Sequence, residues 1–167
     1  LSNPPLVKMN PDGSLSGLTA ESWQASADGT VWSFTIRDDL YWSDGRKLSA
    51  EDVRFSIQYT GRHDPAARWI RDTLQEARLQ GERSVVLAFS QPHPNLDLEL
   101  ATYNILPQHI WQAVAEPRHA PPAEANVGCG PFVLQRVDLA AGLLRLQRNP
   151  YWRGRQPGID VVEIHMY

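Results

Sequence analysis

Residues 27–56 read ADGTVWSFTIRDDLYWSDGRKLSAEDVRFS and contain a turn, a strand, a second turn at Asp44-Gly45 and the start of a helix. The first turn is Asp28-Gly29, because Gly accepts a positive φ and the Asp side chain bonds the nearby backbone. In residues 31–37, apolar side chains alternate with mostly polar ones, which predicts a strand with one buried face. We expect residues 23–27 to pair with this strand as a hairpin.

A helix follows the strand. Ser49 is a suitable N-cap, and Glu51 and Asp52 favour the first helical turn. Apolar residues then recur at helical spacing until Gly61, which is predicted to end the helix. We expect this helix to anchor on the preceding hairpin.

The remaining pattern alternates short strands and short helices. Because helices are mixed with mostly antiparallel hairpins, the fold class is predicted to be α+β. The further predicted elements are a short helix around Trp69, a hairpin from residues 74–79 and 84–89, a helix over residues 108–114 after Pro107, and strands at residues 132–137, 143–147 and 159–167.

Composition excludes several classes of protein. The 167 residues are 42% hydrophobic and 21% charged, which is typical of a water-soluble globular protein. A net charge of -3 is too mild to indicate a nucleic-acid partner. No apolar run approaches the roughly 20 residues that span a bilayer. The single cysteine, Cys129, excludes an intrachain disulfide and a zinc site built on several thiolates.

The residues that could carry catalysis or bind metal are poorly arranged for either. Cys129 with His109 as its base would form a nucleophilic pair, but nothing in the sequence brings the two together. The five histidines show no metal-binding spacing, and the carboxylates of the Asp-Gly turns stand alone. We therefore expect no catalytic residue, no metal site and no cofactor.

Eight collinear pieces of the chain carry a resemblance. They resemble family 5 extracellular solute-binding proteins of ABC transporters, the oligopeptide, dipeptide and nickel binders. The pieces are PDG at residues 11–13, LTAESW at 18–23, ADG with WSFTIR at 27–37, YWSDG at 41–45, LSAEDV with FS at 48–56, ILPQHIW at 105–111, VGCGPF at 127–132 and RNPYW at 148–152.

This resemblance implies a two-lobed protein of the periplasmic-binding-protein type II-like fold. Such a protein closes around a peptide or similar small polar solute and delivers it to an ABC permease in the membrane. The resemblance further implies a monomer that is periplasmic or tethered to the outer face of the cytoplasmic membrane, and that binds no nucleic acid unless it is fused to a DNA-binding domain. Family members are about three times longer, so we interpret the chain as a fragment of the N-terminal lobe, with any signal peptide outside it.

Within that fragment we expect one unit over residues 1–167. It would comprise a hairpin and helix subdomain at residues 1–115, a Pro/Ala-rich connection at 116–127, and strands at 128–167 that return to the main lobe. An alternative is the ligand-sensing domain of a bacterial transcriptional regulator, because some regulators attach such a lobe behind a DNA-binding domain. The sequence upstream of Leu1 would separate the two.

The resemblance also implies where ligand contacts lie. An Arg fork binds a carboxylate in bidentate fashion, and Trp supplies a flat wall. Tyr and Asn can bond a peptide backbone without selecting a side chain. Competing interpretations are a surface Arg beside a core Trp and, for the glycine-flanked cysteine, a simple strand-entry turn. The candidate ligand-binding residues are Arg68, Trp69, Tyr103, Asn104, Cys129 and Gly130.

Overall fold

A computed structural model describes residues 3–117 and 126–165. The chain divides into two compact units. The larger unit comprises residues 4–38 and 49–108, and the smaller unit comprises residues 1–3, 39–48 and 109–167. The strands are β1 Val7–Met9, β2 Leu15–Gly17, β3 Ala20–Ala25, β4 Val31–Ile36, β5 Leu74–Gln80, β6 Ser84–Phe89, β7 Phe132–Asp138, β8 Leu143–Arg148 and β9 Val161–His165; the helices are α1 Ala50–His63, α2 Arg68–Thr73, α3 Leu96–Leu100 and α4 Gln108–Trp111.

The larger unit is built on a four-stranded antiparallel sheet in the order β3-β4-β6-β5. Trp32 lies opposite Leu87, and Phe34 lies opposite Val85, so that apolar side chains from two strands share one buried face. Helix α1 packs against β5 and β6. Both hairpins predicted from the sequence are present, and the α+β class is confirmed.

The turn between β3 and β4 has the predicted chemistry. Gly29 has a φ of 69°, which is the left-handed region that glycine tolerates. The Asp28 carboxylate accepts hydrogen bonds from the Ser26 hydroxyl at 2.5 Å and from the Thr30 N–H at 3.1 Å. Because these bonds favour the charged form, with the Ser26 hydroxyl contributing most, the pKa of Asp28 lies below its usual value.

Helix α1 begins as predicted but ends later. Ser49 and Asp52 form a capping box at its start. The helix continues through Gly61 to His63, so the prediction that Gly61 ends it is wrong. A Cβ at Gly61 would lie 3.1 Å from the backbone nitrogen of Arg71, so the close approach of the next helix leaves little room for a side chain here. The helix ends where Asp64 becomes extended in front of a proline.

The smaller unit contains an antiparallel sheet in the order β7-β8-β9. Leu144 lies opposite Ile164, and Leu146 lies opposite Val162, so that one face of the sheet is apolar. On the opposite face, Arg145 donates to Glu163 at 2.7 Å. In β9, Val162 and Ile164 therefore lie on the apolar face, and Glu163 lies on the opposite face.

Three of the collinear pieces meet within the smaller unit. The Ser43 N–H donates to the carbonyl of Gly128 at 2.8 Å, which joins the YWSDG turn to the VGCGPF segment. Asn149 is buried, and its Nδ2 donates to the carbonyl of Gly130 at 2.9 Å while its Oδ1 accepts from the Tyr151 N–H at 2.9 Å. These contacts give the three segments a structural role.

Some predicted element boundaries differ from those in the structure, and others lie outside the residues that the structure describes. Helix α4 covers four residues rather than residues 108–114, and the chain forms turns directly after it. Residues 118–125 of the predicted connection and 166–167 of the predicted last strand lie outside the described residues. The predicted division at residues 115 and 127 stays a prediction. In the part of the chain that the structure describes, no helix has the length and apolar character needed to cross a membrane.

Candidate ligand-binding site

Four of the six predicted ligand-binding residues lie in the larger unit. Arg68 and Trp69 form the first turn of α2, and Tyr103 and Asn104 follow α3. The other two, Cys129 and Gly130, lie in the smaller unit at the entry to β7.

Trp69 and Tyr103 are brought together although 34 residues separate them. The Trp69 indole Nε1–H donates to the Tyr103 hydroxyl at 3.4 Å, and that hydroxyl donates to the carbonyl of Ala66 at 3.5 Å. Both side chains are half-buried. This places two rings with apolar faces and polar ends side by side, the combination that recognises ligands with both characters.

Two further rings pack against the Trp69 indole. The Phe89 ring, from the end of β6, is stacked with its centroid 6.2 Å away. The His93 ring is tilted with its centroid 4.9 Å away, and His93 and Phe89 are themselves 4.8 Å apart. We call Trp69, Tyr103, Phe89 and His93 the aromatic cluster. It fixes one side of the indole inside the larger unit.

Arg68 extends from the start of α2 toward solvent. Its side chain is 71% exposed, and its Nε lies 3.2 Å from Oδ2 of Asp72. The other oxygen of Asp72 accepts from Arg71 at 3.1 Å. Two guanidinium groups thus share one carboxylate, which leaves a positive charge on this exposed face of α2. Such a charge can attract an anionic group.

Asn104 is exposed at the edge of a shallow apolar depression. Its backbone bridges that of Pro5, and the depression is lined by Tyr103, Leu6, Ile57 and other apolar residues. The depression has room for roughly one water molecule. This depression therefore does not enclose a solute as large as a peptide.

Cys129 and Gly130 are buried in the smaller unit. The Gly130 carbonyl accepts the Asn149 hydrogen bond described above. This partner gives the segment the strand-entry role that was the competing interpretation. A ligand contact at either position stays a prediction.

Other candidate chemistry is sparse in the described ranges. His109 Nε2 lies 2.6 Å from Oδ2 of Asp44, so its ring is held at the YWSDG turn. Among residues 3–117 and 126–165, no group of three or more His, Cys, Asp or Glu side chains could hold a metal ion.

Sequence reasoning missed Phe89 and His93 as neighbours of the candidate site. In the sequence, Phe89 is only the last residue of a predicted strand, and His93 lies between two prolines in a segment with no periodic pattern. Their proximity to Trp69 depends on how β6 and α2 are arranged, which a local pattern does not encode.

Comparison with known proteins places the chain among solute-binding proteins. The model of the family described as "Bacterial extracellular solute-binding proteins, family 5 Middle" matches residues 14–167. The nickel-binding periplasmic protein of Escherichia coli (strain K12) is 29% identical over 180 residues, covering 97% of this chain and 31% of that protein. Di/tripeptide-binding protein 2 of Pseudomonas aeruginosa (strain UCBPP-PA14) is 31% identical over 164 residues, covering 84% and 30% respectively.

Solved structures show the same fold. NikZ from Campylobacter jejuni, in complex with Ni(L-His), matches with a TM-score of 0.84 and 24% identity over 99% of this chain and 34% of its own. AppA from Bacillus subtilis, in complex with a nonapeptide, matches with a TM-score of 0.81 and 20% identity over 97% and 33%. The chain thus spans about a third of the length of the proteins it matches, and the predicted fold and resemblance are confirmed.

Proposed function

Because the chain belongs to the bacterial extracellular solute-binding proteins of family 5, we propose that it forms part of the substrate-binding component of an ABC-type importer. In this proposal the complete protein captures a peptide or similar small polar solute and delivers it to a membrane permease. It acts in the periplasm as a monomer, without catalysis, without a cofactor and without binding nucleic acid. The chain supplies one wall of the ligand cleft.

The observation that carries this proposal is the paired arrangement of Trp69 and Tyr103 on the larger unit. The two side chains are hydrogen-bonded to each other and half-exposed, and the Trp69 indole also packs against Phe89 and His93. A preorganised aromatic wall binds a flat or apolar part of a ligand at little cost in side-chain ordering. The rest of the cleft would come from the parts of the relatives that this chain does not cover.

Arg68 adds charge selectivity to the proposed wall. Its guanidinium lies one residue from Trp69 and is exposed beside a carboxylate that it shares with Arg71. An exposed Arg fork suits a ligand carboxylate, such as a peptide C-terminus or an amino acid that chelates a metal. Asn104 would add a hydrogen bond to the ligand backbone. Cys129 and Gly130 remain candidate contacts.

The proposed mechanism is cleft closure. A two-lobed protein that binds ligand more tightly when closed shifts its population toward the closed form, and a permease that distinguishes the two forms responds to the bound ligand. The relatives compared above are periplasmic nickel-binding and di- or tripeptide-binding proteins. That favours transport over the alternative of a sensing domain in a transcriptional regulator.

The test is ligand binding by the complete protein that contains this chain. Thermal unfolding would be measured with trialanine, with the nickel complex of L-histidine and with mannohexaose, because a ligand that binds the folded state raises the Tm. We expect one probe to raise it. If none of the three does, the transport proposal loses its support.

Substitutions then test the wall. Trp69→Ala, Tyr103→Ala and Arg68→Ala should each weaken binding of the active probe by about 1–3 kcal/mol, measured by calorimetry. Arg78→Ala is the matched control for Arg68→Ala, since Arg78 is also exposed beside a carboxylate, on β5. The control should bind normally. If affinity is unchanged in all three variants, the wall is assigned to the wrong residues.

A further inference from the structure

We propose that His93 and Thr73 are positioning residues that hold the Trp69 indole in its ligand-facing place. This inference rests on the proposed function of Trp69 as a wall of the cleft. Neither residue would touch the ligand, because His93 is buried and Thr73 acts on the backbone carbonyl of Trp69.

The proton of the Thr73 hydroxyl has a fixed destination. Thr73 Oγ1 donates to the backbone carbonyl of Trp69 at 2.7 Å, one helical turn back along α2. A hydroxyl carries a single proton, so its oxygen can only accept in any other hydrogen bond. His93 Nε2 lies 3.2 Å from the same oxygen. The imidazole must therefore donate, and the geometry assigns the proton of neutral His93 to Nε2.

That bond orients the His93 ring. With Nε2 bonded to α2, the His93 ring packs against both Trp69 and Phe89, 4.9 Å and 4.8 Å from their centroids. His93 is buried, so the space behind the indole is filled by its ring. The same two residues thus restrain Trp69 at both ends: Thr73 at its carbonyl and His93 at its ring.

The other imidazole nitrogen faces a carboxylate. Nδ1 of His93 lies 3.6 Å from Oε2 of Glu99. The elements around it otherwise present Thr73 and Trp69 from α2 and Phe89 from β6. Protonation of His93 would add a donor toward Glu99 and leave the bond to Thr73 in place. The positioning role therefore holds in both charge states.

NMR on the ¹⁵N-labelled chain tests this assignment without any ligand. The ¹⁵N shifts of His93 report which nitrogen carries the proton, and the indole N–H signal of Trp69, assigned from Trp69→Phe, reports its order. We expect the neutral ring to be protonated at Nε2 and the Trp69 indole to give one sharp signal. A neutral His93 ring protonated at Nδ1 in the wild type would overturn the proposal.

Variants at Thr73 separate positioning from general support of the fold. Thr73→Val keeps the shape but removes the hydroxyl, so His93 should populate both tautomers and the Trp69 signal should broaden or split. Thr73→Ser restores the hydroxyl and should restore both signals. The positioning role is refuted if Thr73→Val leaves both signals as in the wild type. It is also refuted if the Thr73→Ser chain is folded but does not show the two wild-type signals.

The ligand arm uses the complete protein and trialanine. Thr73→Val should weaken binding about 2- to 10-fold, the equivalent of one lost hydrogen bond, and Thr73→Ser should restore it. Normal affinity in Thr73→Val overturns the positioning role. If instead Trp69→Ala leaves the affinity unchanged, the proposed wall fails while the NMR assignment stands, so the two failures are distinguishable.

Discussion

Replacing Asp52 with Ala should cost this chain a large part of its stability. The Asp52 carboxylate is buried at the start of α1. Its Oδ2 accepts from the Ser49 N–H at 2.9 Å, and its Oδ1 accepts from the Gln108 N–H at 2.9 Å. One side chain thus caps the helix and fixes a segment 56 residues further along the chain.

The magnitude follows from those two bonds. A hydrogen bond to a charged group contributes about 1.5–3 kcal/mol, and the alanine leaves two backbone donors without this acceptor. We therefore expect Asp52→Ala to lower the free energy of unfolding by about 3–5 kcal/mol, against a total of about 5–15 kcal/mol for a typical domain. Asp52→Asn keeps one acceptor oxygen and should lose about half as much.

The assay is urea unfolding followed by circular dichroism at pH 7. Glu51→Ala is the matched control, since Glu51 lies in the same helical turn and forms a partly exposed ion pair with Arg54. Such a pair contributes about 0–1 kcal/mol. A loss below about 1 kcal/mol in Asp52→Ala, equal to that of the control, would refute the reasoning from buried backbone donors.

Two further substitutions test the fold of the larger unit. A Cβ at Gly17 would lie 2.0 Å from the carbonyl oxygen of Ala20, so Gly17→Ala should lower the free energy of unfolding in urea by more than about 2 kcal/mol. Gly158 has open space around it, so the control Gly158→Ala should change that free energy by less than about 0.5 kcal/mol. Equal effects of the two substitutions would contradict the close approach at Gly17. The lowered pKa of Asp28 makes it contribute stability above its unfolded pKa of about 3.9, and this is lost as pH falls through the folded value. The wild type should therefore lose more stability between pH 7 and pH 2 than Asp28→Asn, and identical losses in urea midpoint would exclude this contribution.

Local chemistry explains which parts of the fold were predictable. The hairpin at Asp28 and the start of α1 at Ser49 each depend on residues within a few positions, and both appear as predicted. The prediction that Gly61 ends α1 was wrong because glycine is equally suited to ending a helix and to allowing a neighbouring helix to approach closely. Only the position of Arg71, beyond a turn, distinguishes the two.

The candidate site was predictable only in part for the same reason. The resemblance identified Trp69 and Tyr103, which the structure brings together. It gave no reason to include His93, whose link to Trp69 runs through the Thr73 hydroxyl. Nor did it anticipate that Asn149 would occupy the Gly130 carbonyl, because the two residues are 19 positions apart. Contacts between distant segments need the tertiary structure.

The β7-β8-β9 sheet has one apolar and one charged face, and this affects whether the purified chain self-associates in solution. Two side chains on its apolar face are partly exposed: Val137 is 42% exposed and Ile164 is 40% exposed. Exposed apolar strands promote association between chains as concentration rises, whereas the charged opposite face resists it. Purified chain should therefore self-associate at high protein concentration and in added sulfate, which strengthens apolar burial. Unfolding experiments belong at low protein concentration, where the measured midpoint reports folding alone.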